Sequence, residues 1–108
     1  MEDFLKGVKE VLEEVIEIQE EAKKLYLEVD NYNLVEQDED YSLGSSIAWL
    51  SAIKSLSDDM VEVLKEMLEE PENFTKVNFE KVLQYQEGAL DTLRTMFFEA
   101  NQYIEYNV

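Results

Sequence analysis

The chain has no cysteine and no histidine. Their absence excludes disulfides, thiol nucleophiles, Cys/His zinc centres, histidine general bases and Ser-His-Asp triads together. One proline and three glycines are too few for a turn-rich β fold. Bases are scarce as well: 9 Lys and Arg stand against 26 Asp and Glu, a formal charge of −17 over 108 residues. Nine dispersed bases do not make the basic stripe that grips a phosphate backbone, and no Gly-rich phosphate loop is present. Bare nucleic acid and anionic headgroups both repel so acidic a surface. No apolar run approaches the ~18 residues of a membrane span. The start Met-Glu-Asp-Phe-Leu-Lys is mixed and acidic rather than basic and then apolar, so no secretory signal is expected. These features point to the cytoplasm, with neither nucleic acid nor membrane as a direct partner.

What is present is a hydrophobic fraction of 45%. That supports a real core and a single acidic domain over residues 1–108. The fold class expected is all-α: an antiparallel three-helix bundle. In the first segment Phe4, Val8, Val11, Val15, Ile18, Ala22 and Leu25 follow an unbroken 3-4 spacing, with Leu5, Leu12 and Tyr26 one step beside them. A stripe of this width serves a bundle, and the spacing predicts a helix over about 2–30. The run Asp30-Asn31, Asn33 and Glu36 to Asp40, followed by Ser42, Gly44, Ser45 and Ser46, carries turn and cap chemistry. An ordered acidic connection is therefore expected over 31–44. A second helix is predicted over about 45–70 from Trp49, Ile53, Leu56, Met60, Val63 and Met67, flanked by Leu50, Val61, Leu64 and Leu68. Pro71 stops it. A third is predicted over about 75–105, with Thr75 as N-cap and Phe74 and Phe79 placed for a hydrophobic staple. Its stripe is Phe79, Leu83, Gln86, Leu90, Leu93, Phe97 and Ala100. Gln86, the one polar member, is expected at the stripe margin, reaching water; full burial would instead let it set register.

Charge is unevenly spread. Residues 1–40 carry a net −10, residues 41–72 −5 and residues 73–108 −2. Glu10, Glu13, Glu14, Glu17, Glu20 and Glu21 fall opposite the core stripe of the first helix, and Glu36, Asp38, Glu39 and Asp40 extend the acidic run. Like charges at i,i+3 and i,i+4 cost a few tenths of a kcal/mol each. The first reading of this face is a solvated, solubility-giving one; the sharper reading, a partner surface for a basic protein, gains because the four lysines of this segment relieve little of that repulsion. The outer face of the third helix is nearly uncharged and carries Tyr85, Phe98 and Tyr106 as a possible interface. Phe98 is expected to be covered, by the 31–44 connection or by a second subunit in a homodimer.

Several carboxylate pairs share a helical face: Glu10-x-x-Glu13, Glu14-x-x-Glu17, Glu17-x-x-Glu20 and Asp59-x-x-Glu62. The motif resembles the E-x-x-E helix of the all-α NTP pyrophosphatases of the MazG type, which implies a Mg²⁺-dependent enzyme. Where that family carries its later E-x-x-D, this chain reads Ser55-x-x-Asp58, so the enzyme is the minor alternative. The size and helicity resemble Esx-type secreted helical hairpins, and Tyr26-x-x-x-Asp30 matches their export spacing. Their hairpin turn holds Trp-x-Gly, whereas Trp49-Leu50-Ser51 falls within a predicted helix here. Ferritin-like di-iron pairs require histidine. The run from Asp38 departs from a calcium loop at Leu43 and Trp49.

The expectation is a non-enzymatic acidic binding protein, with no cofactor and no metal, whose partner is a basic protein surface such as a nucleic-acid-handling enzyme. In composition and size it resembles phage-encoded anti-restriction and anti-CRISPR proteins and immunity proteins against nuclease toxins. The alternative is a structural or adaptor bundle assembling through the uncharged face of the third helix.

Overall fold

Three long helices account for the architecture. The computed structural model describes the backbone of residues 2–31 and 41–107 and the side chains of residues 3–27 and 48–102. Helix α1 spans Glu2–Asn31, α2 Tyr41–Glu69 and α3 Lys76–Asn107, with a single 3₁₀ turn at Pro71–Asn73 between the last two. Each helix packs on the other two, as an all-α three-helix bundle requires. Helix α2 runs antiparallel to its neighbours, and the rod measures 53 × 18 × 16 Å.

The helices meet through one continuous core. Helix α1 contributes Val8, Val11, Val15 and Ala22, and α3 contributes Phe79, Leu83, Leu90, Leu93 and Ala100, the residues their 3-4 spacing singles out. In α2 the fully buried line is Leu50, Ile53, Ser57, Met60, Leu64 and Met67. Trp49, Leu56 and Val63, placed in the stripe by an equally regular 3-4 spacing, flank that line half-buried. The line admits a serine because its hydroxyl is fully satisfied: Ser57 Oγ donates to the Lys54 carbonyl at 3.1 Å and accepts from Gln19 Nε2 at 3.0 Å. Tyr26, expected beside the stripe of α1, is instead exposed.

The start of α2 corrects the expected boundary. The helix begins at Tyr41, not near residue 45, and runs through Ser42, Gly44, Ser45 and Ser46. Helix propensity is a weak prior that tertiary packing overrides, and Leu43 and Ile47 continue the 3-4 spacing back from Leu50. Of the expected 31–44 connection, residues 32–40 lie outside the described residues.

The α2–α3 junction follows the expected chemistry. Helix α2 ends at Glu69, one residue short of the pre-proline position, and Pro71 opens the short 3₁₀ turn. Thr75 caps α3: its Oγ1 accepts from the Asn78 amide at 3.2 Å. The Phe74 and Phe79 rings meet edge to face with centroids 5.9 Å apart, the staple that fixes chain entry. Phe4 of α1 meets Phe79 at 6.1 Å, so three aromatic rings close this end of the bundle.

Gln86 is also corrected. It does not reach water: it is 4% exposed, and its Oε1 has no hydrogen-bond partner among the described residues.

Candidate partner-binding surfaces

All six glutamates of α1 named above are exposed. They do not form one flat patch. Glu10 and Glu14 line a groove of about 310 Å³ against α3, where Glu87, Asp91 and Arg94 complete the walls. Glu20 stands on the other flank, at the rim of the α1–α2 groove. The acidic surface therefore wraps α1 and continues onto α3 through Glu87 and Asp91, two residues that sequence reasoning missed. They lie on the flank of α3 nearest α1, and only the packing of the two helices brings them beside Glu10 and Glu14.

One cation lines the α1–α3 groove. Arg94 donates through Nη2 to Glu14 Oε2 and through Nη1 to Asp91 Oδ1 at 2.9 Å. It thereby ties α1 to α3 across the acidic groove. Among the described residues Glu14 is the only one of the six glutamates in an ion pair. Glu36, Asp38, Glu39 and Asp40 lie outside the described residues.

The second groove, about 790 Å³, lies between α1 and α2. Its floor is Ala22, Leu50 and Ile53, and Tyr26 and Leu27 stand exposed beside it. Gln19, Lys54 and Asp58 close one end. Gln19 Nε2 donates to Asp58 Oδ1 at 2.6 Å, and Lys54 Nζ donates to Asp58 Oδ2 at 3.4 Å. This groove was not legible beforehand. Its only sequence signal is Tyr26 and Leu27 in succession, of which the stripe accounts for one.

The outer face of α3 is exposed. Tyr85 is 71% and Phe98 59% solvent-accessible, so the expected cover of Phe98 is not supplied by the described residues of its own chain. Val77, on the same helix, is 60% exposed. The Tyr106 side chain lies outside the described residues.

The E-x-x-E and D-x-x-E carboxylates are exposed throughout, Asp59 and Glu62 included. Among the described residues no group of three or more acidic side chains is placed to hold a metal ion. Trp49-Leu50-Ser51 lies inside α2. No described helix is long and apolar enough to cross a membrane. Compared with protein-family models, curated proteins and solved structures, the chain matches none.

Proposed function

We propose that this protein is a non-enzymatic acidic binding protein that occupies a basic, nucleic-acid-binding surface of a partner protein. One observation carries the reading: five of the six exposed glutamates on α1 make no ion pair among the described residues. The acidic surface runs on to Glu87 and Asp91 of a second helix. Unanswered like charges on a helix destabilise it, and a complementary basic surface relieves that cost on binding. Enzymes that handle nucleic acid present such surfaces because their substrate is a polyanion. The field of a −17 chain speeds encounter with them and is weakened by salt. The reading belongs to the inhibitor, immunity or anti-restriction class and places the protein in the bacterial or phage-infected cytoplasm, where such enzymes act.

The test is capture of proteins from a bacterial lysate on the immobilised chain, followed by elution with double-stranded DNA. Captured proteins that DNA and salt both displace, and that a Glu13→Gln, Glu17→Gln, Glu20→Gln variant no longer holds, support the reading. Capture indifferent to DNA, to salt and to the three glutamates overturns it. The exposure of Tyr85 and Phe98 favours a second reading, an adaptor that assembles through α3; salt-tolerant capture lost with Phe98→Asp supports it.

A further inference from the structure

The outer face of α3 repeats with its own 3-4 spacing, distinct from the core stripe: Val77, Lys81, Gln84, Gly88, Asp91, Thr95, Phe98 and Gln102. Gly88 sits at its middle, and a Cβ built there meets nothing within 4 Å. It has no positive φ, so neither backbone conformation nor internal packing calls for glycine. Glycine in an exposed helix interior is unfavourable, and its remaining structural use is close approach of another backbone. The two large exposed apolar residues of the stripe, Val77 and Phe98, lie almost symmetrically about it, eleven residues before and ten after.

We infer that α3 pairs antiparallel with α3 of a second copy of this chain, crossing at Gly88. In that arrangement Val77 of each copy meets Phe98 of the other, and the absent side chain at Gly88 lets the helices close at the two-fold axis. Charge selects the same direction. Lys81 of one copy falls between Asp91 and Glu99 of the other, within about one turn, or 5.4 Å, of each. A parallel pair would instead set Lys81 against Lys81 and Glu99 against Glu99. Two acids flank the crossing: Asp91 is already bonded to Arg94, which moderates its approach to its symmetry mate, whereas exposed Glu87 has no ion pair among the described residues and opposes the contact at low salt. The isologous contact is the commonest form of self-association. The net −17 of each copy opposes it at long range. Residues 73–108 contribute only −2 of it, but Glu10 and Glu14 of α1 line the groove beside Glu87 and Asp91, so the repulsion reaches the pairing face and falls as salt shortens the ~10 Å screening length of 0.1 M. Self-association therefore strengthens with salt, opposite to the response of the acidic surface. The pairing does not depend on the proposed function.

The experiment is sedimentation equilibrium at low and high salt, together with site-directed cross-linking, which the absence of native cysteine makes clean. The expected result is a monomer–dimer equilibrium favouring dimer at high salt. Gly88→Leu should weaken it at least tenfold while leaving the helical circular dichroism and melting temperature unchanged or raised. An equal mixture of Val77→Cys and Phe98→Cys variants, treated with a short bis-maleimide, should cross-link more than either variant alone. A monomer at every salt and concentration overturns the inference. So does a dimer that survives Gly88→Leu, or a Val77→Cys variant that cross-links to itself as well as the mixture does.

Discussion

Gln19 of α1 donates its side-chain amide to the buried Ser57 hydroxyl of α2 and to the neighbouring Asp58 carboxylate. This is the described polar tie between α1 and α2, and it fixes which turn of α2 faces which turn of α1. Ser57→Ala removes one acceptor but leaves Gln19 its bond to Asp58. The expected cost is about 0.5–1.5 kcal/mol, read as a lower urea midpoint at unchanged slope. Ser57→Leu forces a larger side chain into a fully buried site and should cost about 1–3 kcal/mol.

Gln86 presents the opposite case. Its buried Oε1 lacks a partner, and an unsatisfied buried group costs about 1–3 kcal/mol. Gln86→Met keeps the length and removes the orphan atom. Thermal unfolding should show the variant more stable by about 1 kcal/mol, or about 4 °C for a chain of this size. An unchanged or lower melting temperature would show that a bound water satisfies the amide.

The Thr75 cap gives a conventional magnitude. Thr75→Ala frees the Asn78 amide and should cost about 1 kcal/mol, whereas Thr75→Ser should retain most of the stability. Denaturant titration separates the two.

Arg94 tests how far one cation steadies the acidic groove. Its pairs are half exposed or more, with 51% of the Arg94, 48% of the Glu14 and 76% of the Asp91 side chain accessible, so Arg94→Gln should cost no more than about 1 kcal/mol. The loss should shrink as salt rises, because the repulsion left between Glu14 and Asp91 is screened. A loss independent of salt would assign the role of Arg94 to packing of its aliphatic stem.

Replacing Glu13, Glu17 and Glu20 by Gln removes carboxylates at i,i+3 and i,i+4 and leaves the Glu14–Arg94 pair intact. Stability at low salt should rise by a few tenths of a kcal/mol, and the gain should vanish at high salt. Partner association should slow more than dissociation quickens, as measured by stopped-flow or surface kinetics.

Periodicity carried the bundle. The limits of α1 and α3 fall within two residues of those the spacing predicts, and Thr75, Phe74 and Phe79 perform the capping their order implies. Local chemistry misled at the start of α2, where Ser42, Gly44 and Ser45 suggest a turn yet continue the helix. Ser57 and Gln86 show a second limit. A polar residue in an apolar stripe is ordinarily assigned to the margin, and whether it is buried depends on which neighbour supplies a donor or fails to. Gln19 supplies one to Ser57; no described residue supplies one to the Gln86 oxygen. The acidic surface was legible along α1 but not across to Glu87 and Asp91, because contact between helices leaves no trace in the spacing of either.

The slender shape of the bundle sets its strength as a polyanion. Duplex DNA carries one charge per about 1.7 Å of axis, so a duplex as long as this 53 Å rod carries about 31 phosphates. Residues 2–31 and 41–107 offer a net 13 negative charges over the same length, about two-fifths of that linear density, and these are side chains without a condensed counterion sheath. A groove that exchanges DNA for this rod gains less from released counterions. On the proposed function, its complex with the protein should accordingly lose less affinity per decade of salt than its complex with DNA, and the competition should tilt toward the protein as ionic strength rises.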